Sequence, residues 1–295
     1  MKPSILITGA NGQLGTELRQ LEGLFPGFHF IFLTRQEMPL DNAEKIRSGF
    51  KTYQPAFCIN CAAYTAVDKA ETEKELAFQI NAEATAILAT VCREQHCRFI
   101  HISTDYVFDG TATSPYMPDD TTNPQSIYGA SKLAGEQQAM QLNPDSIIIR
   151  TSWVYSEFGK NFVKTMLRLM AERTEIGVVN DQLGSPTYAA DLAAAIMHIV
   201  TSGKWHPGIY HFSNKGIISW YELAVAIRDA IGSNCRVNPI PTSAYPTPAK
   251  RPAYSVMDSS LLTERYGIVI QPWQERLKIC LQQIEKPRAN AQGSI

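Results

Sequence analysis

The chain has 295 residues, a formal net charge of −1 and 44% hydrophobic residues. That length buries a full core and allows one large α/β unit or two unequal lobes. The basic residues are scattered, which excludes the clustered, uncompensated cations of a nucleic-acid footprint. No apolar stretch approaches the roughly 20 residues that span a bilayer, and Asn11 and Gln13 break the N-terminal apolar run before a secretory core could form. The sequence therefore predicts a cytoplasmic chain with neither a nucleic-acid nor a membrane partner.

Taken in order, Ser4–Thr8 reads as a strand and Gln13–Leu21 as an amphipathic helix. A strand over 28–34, a helix over 43–52 and a strand over 57–61 follow. Next come a long helix over 73–95, a strand over 98–103, a helix over 126–141 and a strand over 146–150. Alternation of this kind, with strands apolar almost throughout, predicts an α/β fold: a doubly wound parallel sheet of the Rossmann type. Further on, 162–171, 190–200 and 220–231 read as helices. Five prolines, Pro239, Pro241, Pro246, Pro248 and Pro252, mark 238–252 as loop, and the tail over 286–295 is expected to fray. The organisation predicted is a dinucleotide-binding domain over 1–155, which also receives segments near 178–215. A smaller C-terminal lobe over 156–295 would hold the substrate.

Cys58 and Cys61 form a C-x-x-C, a spacing that can bind metal or serve redox chemistry. They lie in an apolar run that reads as a buried strand, where residues three apart point to opposite faces and cannot share a ligand. No second pair follows, so the six cysteines are expected to be buried thiols of a reducing compartment.

Gly9, Gly12 and Gly15 stand directly after the first strand and open the first helix. Glycine at these points permits a tight turn and lets the backbone, with Asn11, Gln13 and Leu14, approach a pyrophosphate at the helix N-terminus. The second strand ends in Thr34-Arg35 with no acid at its tip. Arg35 can pair with a 2′-phosphate, which favours NADPH over NADH, and Asp41 and Asn42 can flank the adenine. Tyr128 and Lys132 are four apart on a helix and so share a face. A nearby lysine cation favours the phenolate, which predicts a phenol brought closer to neutrality as a proton donor. The same lysine can hold nicotinamide ribose hydroxyls. The preceding strand ends at Ser103-Thr104-Asp105, on the carboxyl edge where open α/β sheets bind ligands, and a hydroxyl there can reach a substrate carbonyl.

In this order and spacing, the glycine turn, the Ser103-Thr104 strand end and Tyr128-x-x-x-Lys132 resemble the extended short-chain dehydrogenase/reductase family. The resemblance implies that Tyr128 is the acid/base, Lys132 its activator and Thr104 the group that polarises the carbonyl. It also implies that Cys61, Ala62, Ala63 and Tyr64 line the cofactor and that Asn81 braces the site. Within the family the likeness is strongest to reductases of nucleotide sugars. It is carried by the segments 62–71, 103–110, 150–155, 161–163, 181–187 and Arg251-Pro252. That likeness implies hydride transfer from NADPH or NADH to the C4 carbonyl of a dTDP-linked 4-keto-6-deoxysugar. Trp153 would face the sugar, Arg251 the pyrophosphate, and Asp105, Asn161 and Gln182 would complete the substrate contacts. Asp109 reads as a turn former, and Tyr254 departs from the small polar residue expected beside Arg251-Pro252. A homodimer and, in some members, a bridging Mg²⁺ are further implications, for which the sequence maps no ligand set. Two alternatives stay open: an NAD-dependent nucleotide-sugar epimerase or dehydratase, and a non-catalytic regulatory subunit of the kind that binds methionine adenosyltransferase.

Overall fold

The computed structural model describes residues 2–286; the expected fraying over 286–295 lies, but for Lys286, outside the described residues. The chain runs β1 (Ser4–Thr8), α1 (Gln13–Leu21), β2 (His29–Leu33), α2 (Ala43–Tyr53) and β3 (Phe57–Asn60). Then come α3 (Val67–Ala70), α4 (Lys74–Phe78), a single π turn (Gln79–Glu83), α5 (Ala84–Glu94), β4 (Arg98–Thr104), α6 (Ile127–Leu142) and β5 (Ile147–Thr151). The second half holds β6 (Val154–Tyr155), α7 (Phe162–Glu172), β7 (Glu175–Val179), β8 (Leu183–Gly184), β9 (Thr187–Tyr188) and α8 (Ala189–Thr201). It closes with β10 (Gly208–Phe212), β11 (Ile218–Ser219), α9 (Trp220–Ala230), β12 (Arg236–Ile240), α10 (Ser260–Tyr266) and α11 (Trp273–Glu285).

Six strands form one parallel sheet in the order β10-β5-β4-β3-β1-β2. Its strands are apolar on both faces because helices cover both. One core packs Ile5, Ile7, Ile59, Ile100 and Ile149 under α8; the other packs Leu6, Cys58, Phe99 and Ile148 under α2 and α5. From β1 the chain winds outward to β2, then crosses back to β3, β4 and β5. The strand order thus reverses between β1 and β3, and a ligand crevice opens at their carboxyl ends. A separate core is built from α7, α9 and α11 with β7 and β12 and includes Val163, Met166, Leu223, Ile227 and Leu277. No helix among the described residues is long and apolar enough to cross a membrane.

Two readings of the elements need correction. The helix expected over 73–95 is broken by the π turn, for a reason that lies in the site below. The loop expected over 238–252 begins as strand: β12 pairs in parallel with β7 through Ile240. Pro239 is tolerated because β12 belongs to a two-stranded sheet, with one side free of ladder donors. Strands β7 and β10 and helices α10 and α11 were not anticipated. The cysteines are all unpaired: Cys58 is buried against Cys92, and Cys61 sits beyond the strand end, packed against the opposite core.

Candidate active site

A cleft of about 840 Å³ runs along the carboxyl ends of β1, β3, β4 and β5. At its floor Gly9 turns with φ +66°, and a Cβ there would stand 2.8 Å from the backbone nitrogen of Ala62. Gly12 N–H donates to the Gly9 carbonyl at 2.9 Å, closing the turn. A Cβ on Gly15 would strike the Gly9 carbonyl oxygen, so this glycine lets α1 start hard against the strand. Gly12 caps α1 without any side-chain hydrogen bond. The first N–H groups of the helix therefore remain available, with the positive end of its dipole, to a phosphate group. These glycine positions fit a dinucleotide.

Gly9, Asn11, Gly12, Gln13 and Leu14 line the cleft, as do Arg35 and Asp41, Cys61, Ala62, Ala63 and Tyr64. Gly15 lies behind the lining, and Asn42 is occupied as the cap of α2, accepting from Lys45 N–H at 3.0 Å. Arg35 stands at the rim, its side chain 73% exposed and 3.6 Å from Asp41, free to turn towards a phosphate.

Helix α6 presents Tyr128 and Lys132 to the same cleft. The helix is fixed from two sides. Ser126 caps it by accepting from Gly129 N–H at 3.1 Å. Glu136, one turn past Lys132, receives Arg150 of β5 through contacts of 3.0, 3.1 and 2.7 Å, with both side chains buried. The π turn fixes the third side. It carries Asn81 inward, where its Oδ1 accepts Tyr64 N–H at 2.8 Å and its Nδ2 donates to the Tyr64 carbonyl and to Ser131 Oγ of α6. Gly135 lies against the Asn81 carbonyl so closely that a Cβ has no room. One residue inserted into the helix thus aims Asn81 between the cofactor-side segment and the catalytic helix.

Thr104 Oγ1 donates to Asp105 Oδ1 at 2.9 Å. Asp105 is buried, and its Oδ2 has no hydrogen-bond partner. Burial lifts its carboxyl to about 6. The ring of Tyr106 packs edge-on against Tyr128 at 5.5 Å. Tyr128 itself does not follow the expectation of a phenol brought towards neutrality. Loss of water pushes it above its ordinary value; the Thr104 hydroxyl pulls the other way and Asp105 adds to the rise. Lys132 is buried, and desolvation draws its ammonium down to about 8 against the opposing pull of Glu136 and Cys61. Its amino group donates to the Ile102 carbonyl at 2.7 Å. Tyr128 is therefore held as a neutral acid, the form that donates a proton.

Trp153 lines the cleft with φ +48° and stacks on Trp220, with ring centroids 3.5 Å apart. Its ring lies so near Gly184 that a Cβ there would come within 2.6 Å. Three expected substrate contacts are engaged elsewhere and do not line the cleft. Asn161 caps α7 and donates to Gln13 Oε1 at 2.9 Å. Gln182 donates to Thr242 Oγ1 at 3.0 Å. Arg251 pairs with Asp68 at 2.7 Å and lies near the Tyr106 hydroxyl. Asp109 accepts from Thr111 N–H and the Tyr116 hydroxyl, as a turn former does, and Tyr254 leans over the Tyr116 ring. Sequence reasoning gave no role to Tyr106, Ser152, Lys160 or Leu192, which also line the cleft. Tyr106 and Ser152 lie inside the segments 103–110 and 150–155 and Lys160 directly precedes 161–163, whereas Leu192 stands in none of the quoted segments. Among the described residues, no three His, Cys, Asp or Glu side chains cluster as a metal site.

A glycine cradle at the reversal of strand order, facing a Tyr-x-x-x-Lys helix and a strand-end threonine, defines a nicotinamide-dependent oxidoreductase of the short-chain dehydrogenase/reductase type. A family model described as the RmlD substrate binding domain matches residues 1–286. A spore coat polysaccharide biosynthesis protein of Bacillus subtilis is 44% identical over 280 residues, covering 95% of this chain and 97% of the relative. A dTDP-4-dehydrorhamnose reductase of Aggregatibacter actinomycetemcomitans is 40% identical, with 93% and 97% covered. The crystal structure of the Bacillus anthracis dTDP-4-dehydrorhamnose reductase in complex with NADP superposes with a TM-score of 0.91 at 38% identity, covering 96% of this chain and all of that one. The chain belongs to the dTDP-4-dehydrorhamnose reductase family.

Proposed function

We propose that this protein reduces dTDP-4-dehydro-6-deoxy-L-mannose to dTDP-L-rhamnose with NADPH. The observation that carries the reading is the convergence of Thr104, Tyr128 and Lys132 on one cleft with the Gly9–Gly12 turn. When bound, NADPH supplies a hydride to the C4 carbonyl of the sugar. The chain's own residues do the rest. The Gly9–Gly15 turn and the α1 N-terminus hold the pyrophosphate, and Arg35 meets the 2′-phosphate. Thr104 orients the carbonyl, and Tyr128 delivers its proton to the oxygen as negative charge develops there. Lys132 has one N–H on Ile102 and can offer another to ribose hydroxyls. Asp105, with a free buried oxygen, accepts from a sugar hydroxyl, and Trp153 covers the apolar face of the deoxysugar.

The unequal lobes fit this division of labour: 1–155 with β10 carries the cofactor, and 156–295 mainly closes over the sugar. We further propose a cytoplasmic homodimer that meets no nucleic acid; the net charge of −1 supports the absence of a nucleic-acid partner and the unpaired thiols a reducing compartment, while the homodimer rests on the family resemblance alone. The epimerase and dehydratase alternatives retain a bound NAD and consume no reductant, and dehydration needs an Asp-Glu pair after the threonine. Here Asp105 and Tyr106 stand in its place. A regulatory protein has no chemical need for Thr104, Tyr128 and Lys132 together.

Purified protein mixed with NADPH and the dTDP-linked ketosugar tests the reading by loss of reduced-cofactor absorbance. Stoichiometric oxidation is expected, and its absence in folded wild-type protein refutes the reading. The same assay with NADH tests Arg35, since a preference for NADH contradicts a 2′-phosphate contact.

A further inference from the structure

One buried polar array beside the cleft has no part in the chemistry above. Thr8, Asn60 and His101 face one another in register across β1, β3 and β4, and all three are buried within the sheet. Thr8 Oγ1 donates to Asn60 Oδ1 at 2.6 Å. Asn60 Nδ2 lies 2.9 Å from His101 Nδ1, and His101 Nε2 lies 3.1 Å from Lys132 Nζ. Apolar residues would fill this sheet position at no desolvation cost, so three polar groups in a row require a reason.

The hydrogen-bond inventory supplies one. A neutral imidazole has one N–H and one lone pair, while an asparagine amide offers either its oxygen or its NH₂. When Asn60 turns its NH₂ to His101, Nδ1 accepts and Nε2 carries the proton. Lys132 must then receive that N–H as a neutral amine. When Asn60 turns its oxygen to His101, Nδ1 carries the proton and Nε2 accepts from the Lys132 ammonium. The ammonium matches only the Nδ1–H tautomer, and the neutral amine, with its two N–H groups on the Ile102 carbonyl and the cofactor ribose, turns its lone pair to Nε2–H.

We propose that the Thr8–Asn60–His101 row is the seat of Lys132, and that His101 is a positioning residue that holds the lysine amino group against the Ile102 carbonyl and matches either of its charges by a change of tautomer. The proposal rests on the reading of Lys132 as part of the reductase site. Other groups around the lysine do not offer this adjustment. Glu136 on α6 is committed to Arg150 of β5, and Cys61 beyond β3 is held as a thiol by burial. Tyr128, one turn back on α6, and Asp105, after β4, face the cleft. Asn81 and Thr85, from the π turn and α5, carry no charge. His101 stays neutral because burial and the adjacent lysine hold its pKa well below the usual imidazole range, and the Phe99 ring stacks beside it at 6.2 Å. Lys132, drawn down to about 8, has both charge states within reach near neutral pH.

Nitrogen-15 NMR of histidine-labelled wild-type protein saturated with NADP⁺, whose ribose takes the second lysine N–H, reads the tautomer without turnover. His101 should pass from Nδ1–H to Nε2–H as pH rises through the lysine ionisation, and Lys132→Met should hold a single tautomer throughout. One unchanging tautomer in wild type from pH 6 to 10 overturns the linkage. In the activity assay, His101→Leu should lower kcat about tenfold, the scale of one lost positioning hydrogen bond. It should also displace the alkaline limb of the kcat–pH profile while leaving the sugar KM unchanged. His101→Gln, whose amide offers either polarity, should restore both the rate and the profile. Equal loss in the two variants, or none in either, contradicts the positioning role. Inactive wild type that still shows the linked tautomer change would refute the proposed function and leave the seat of Lys132 intact.

Discussion

Tyr128 works in surroundings that strip water from its phenol, which raises its pKa above the ordinary phenol value and keeps it protonated at neutral pH. For a reductase this is the useful form, since the proton leaves only when an alkoxide is there to take it. Tyr128→Phe should therefore lower kcat by about 10²–10⁴ while NADPH affinity, read by fluorescence titration, stays near wild type because the glycine turn and Lys132 are untouched. Full activity in this variant would mean the proton donor is another group. Spacing predicted that Tyr128, Lys132 and the strand end at Thr104 share one cleft, which is where they lie; the roles proposed for them come from the family resemblance. Asn161, Gln182 and Arg251 were not legible in this way. Their partners Gln13, Thr242 and Asp68 lie 148, 60 and 183 residues away, and no local pattern shows which distant group captures a long polar side chain.

At the scale of elements, α6 matters most, because its position sets the distance from Tyr128 to anything in the cleft. The Glu136–Arg150 pair pins it to β5 in the protein interior. Removing one partner leaves an uncompensated buried charge, so Glu136→Ala should cost about 3–5 kcal/mol of stability in denaturant unfolding. A loss below about 1 kcal/mol, the level of an exposed pair, would show that the pair does not anchor the helix. The break in the helix expected over 73–95 teaches a related lesson. Apolar periodicity is nearly the same for one long helix and for two joined by a π turn, and propensity is blind to a single inserted residue. What demands the insertion is the contact of Asn81 with Tyr64 and Ser131, which is tertiary. Pro239 misled in the opposite direction: proline argues against a strand only where its missing N–H would be needed, and an edge strand does not need it on one side.

Across the whole molecule, alternation of strands and helices was enough to predict the parallel sheet, and the reversal of strand order then explains why the glycine turn and the catalytic helix meet. The sheets β6–β9 and β8–β11 escaped notice because strands of two residues carry no period, and β7–β12 because Pro239 marked its second strand as loop. The two halves also meet through a buried acid. Glu17 of α1 accepts from Ser156 Oγ at 2.6 Å, and burial lifts its carboxyl to about 8. With its folded pKa raised, the fold keeps a proton that the unfolded chain has released, so Glu17 removes stability as pH rises from about 4.5 towards 8. The difference in unfolding free energy between Glu17→Gln and wild type should therefore grow in favour of the variant over that window. A difference that does not change with pH would show that Glu17 is not protonated in the fold.

The fate of the hydride decides most directly between net reduction and internal redox on the same scaffold. Turnover with NADPH deuterated on the transferred face of C4 should place one deuterium at sugar C4 of the dTDP-L-rhamnose formed, with one equivalent of NADP⁺ released. A sugar product without deuterium, formed while NADPH is not consumed, would contradict the reductase assignment.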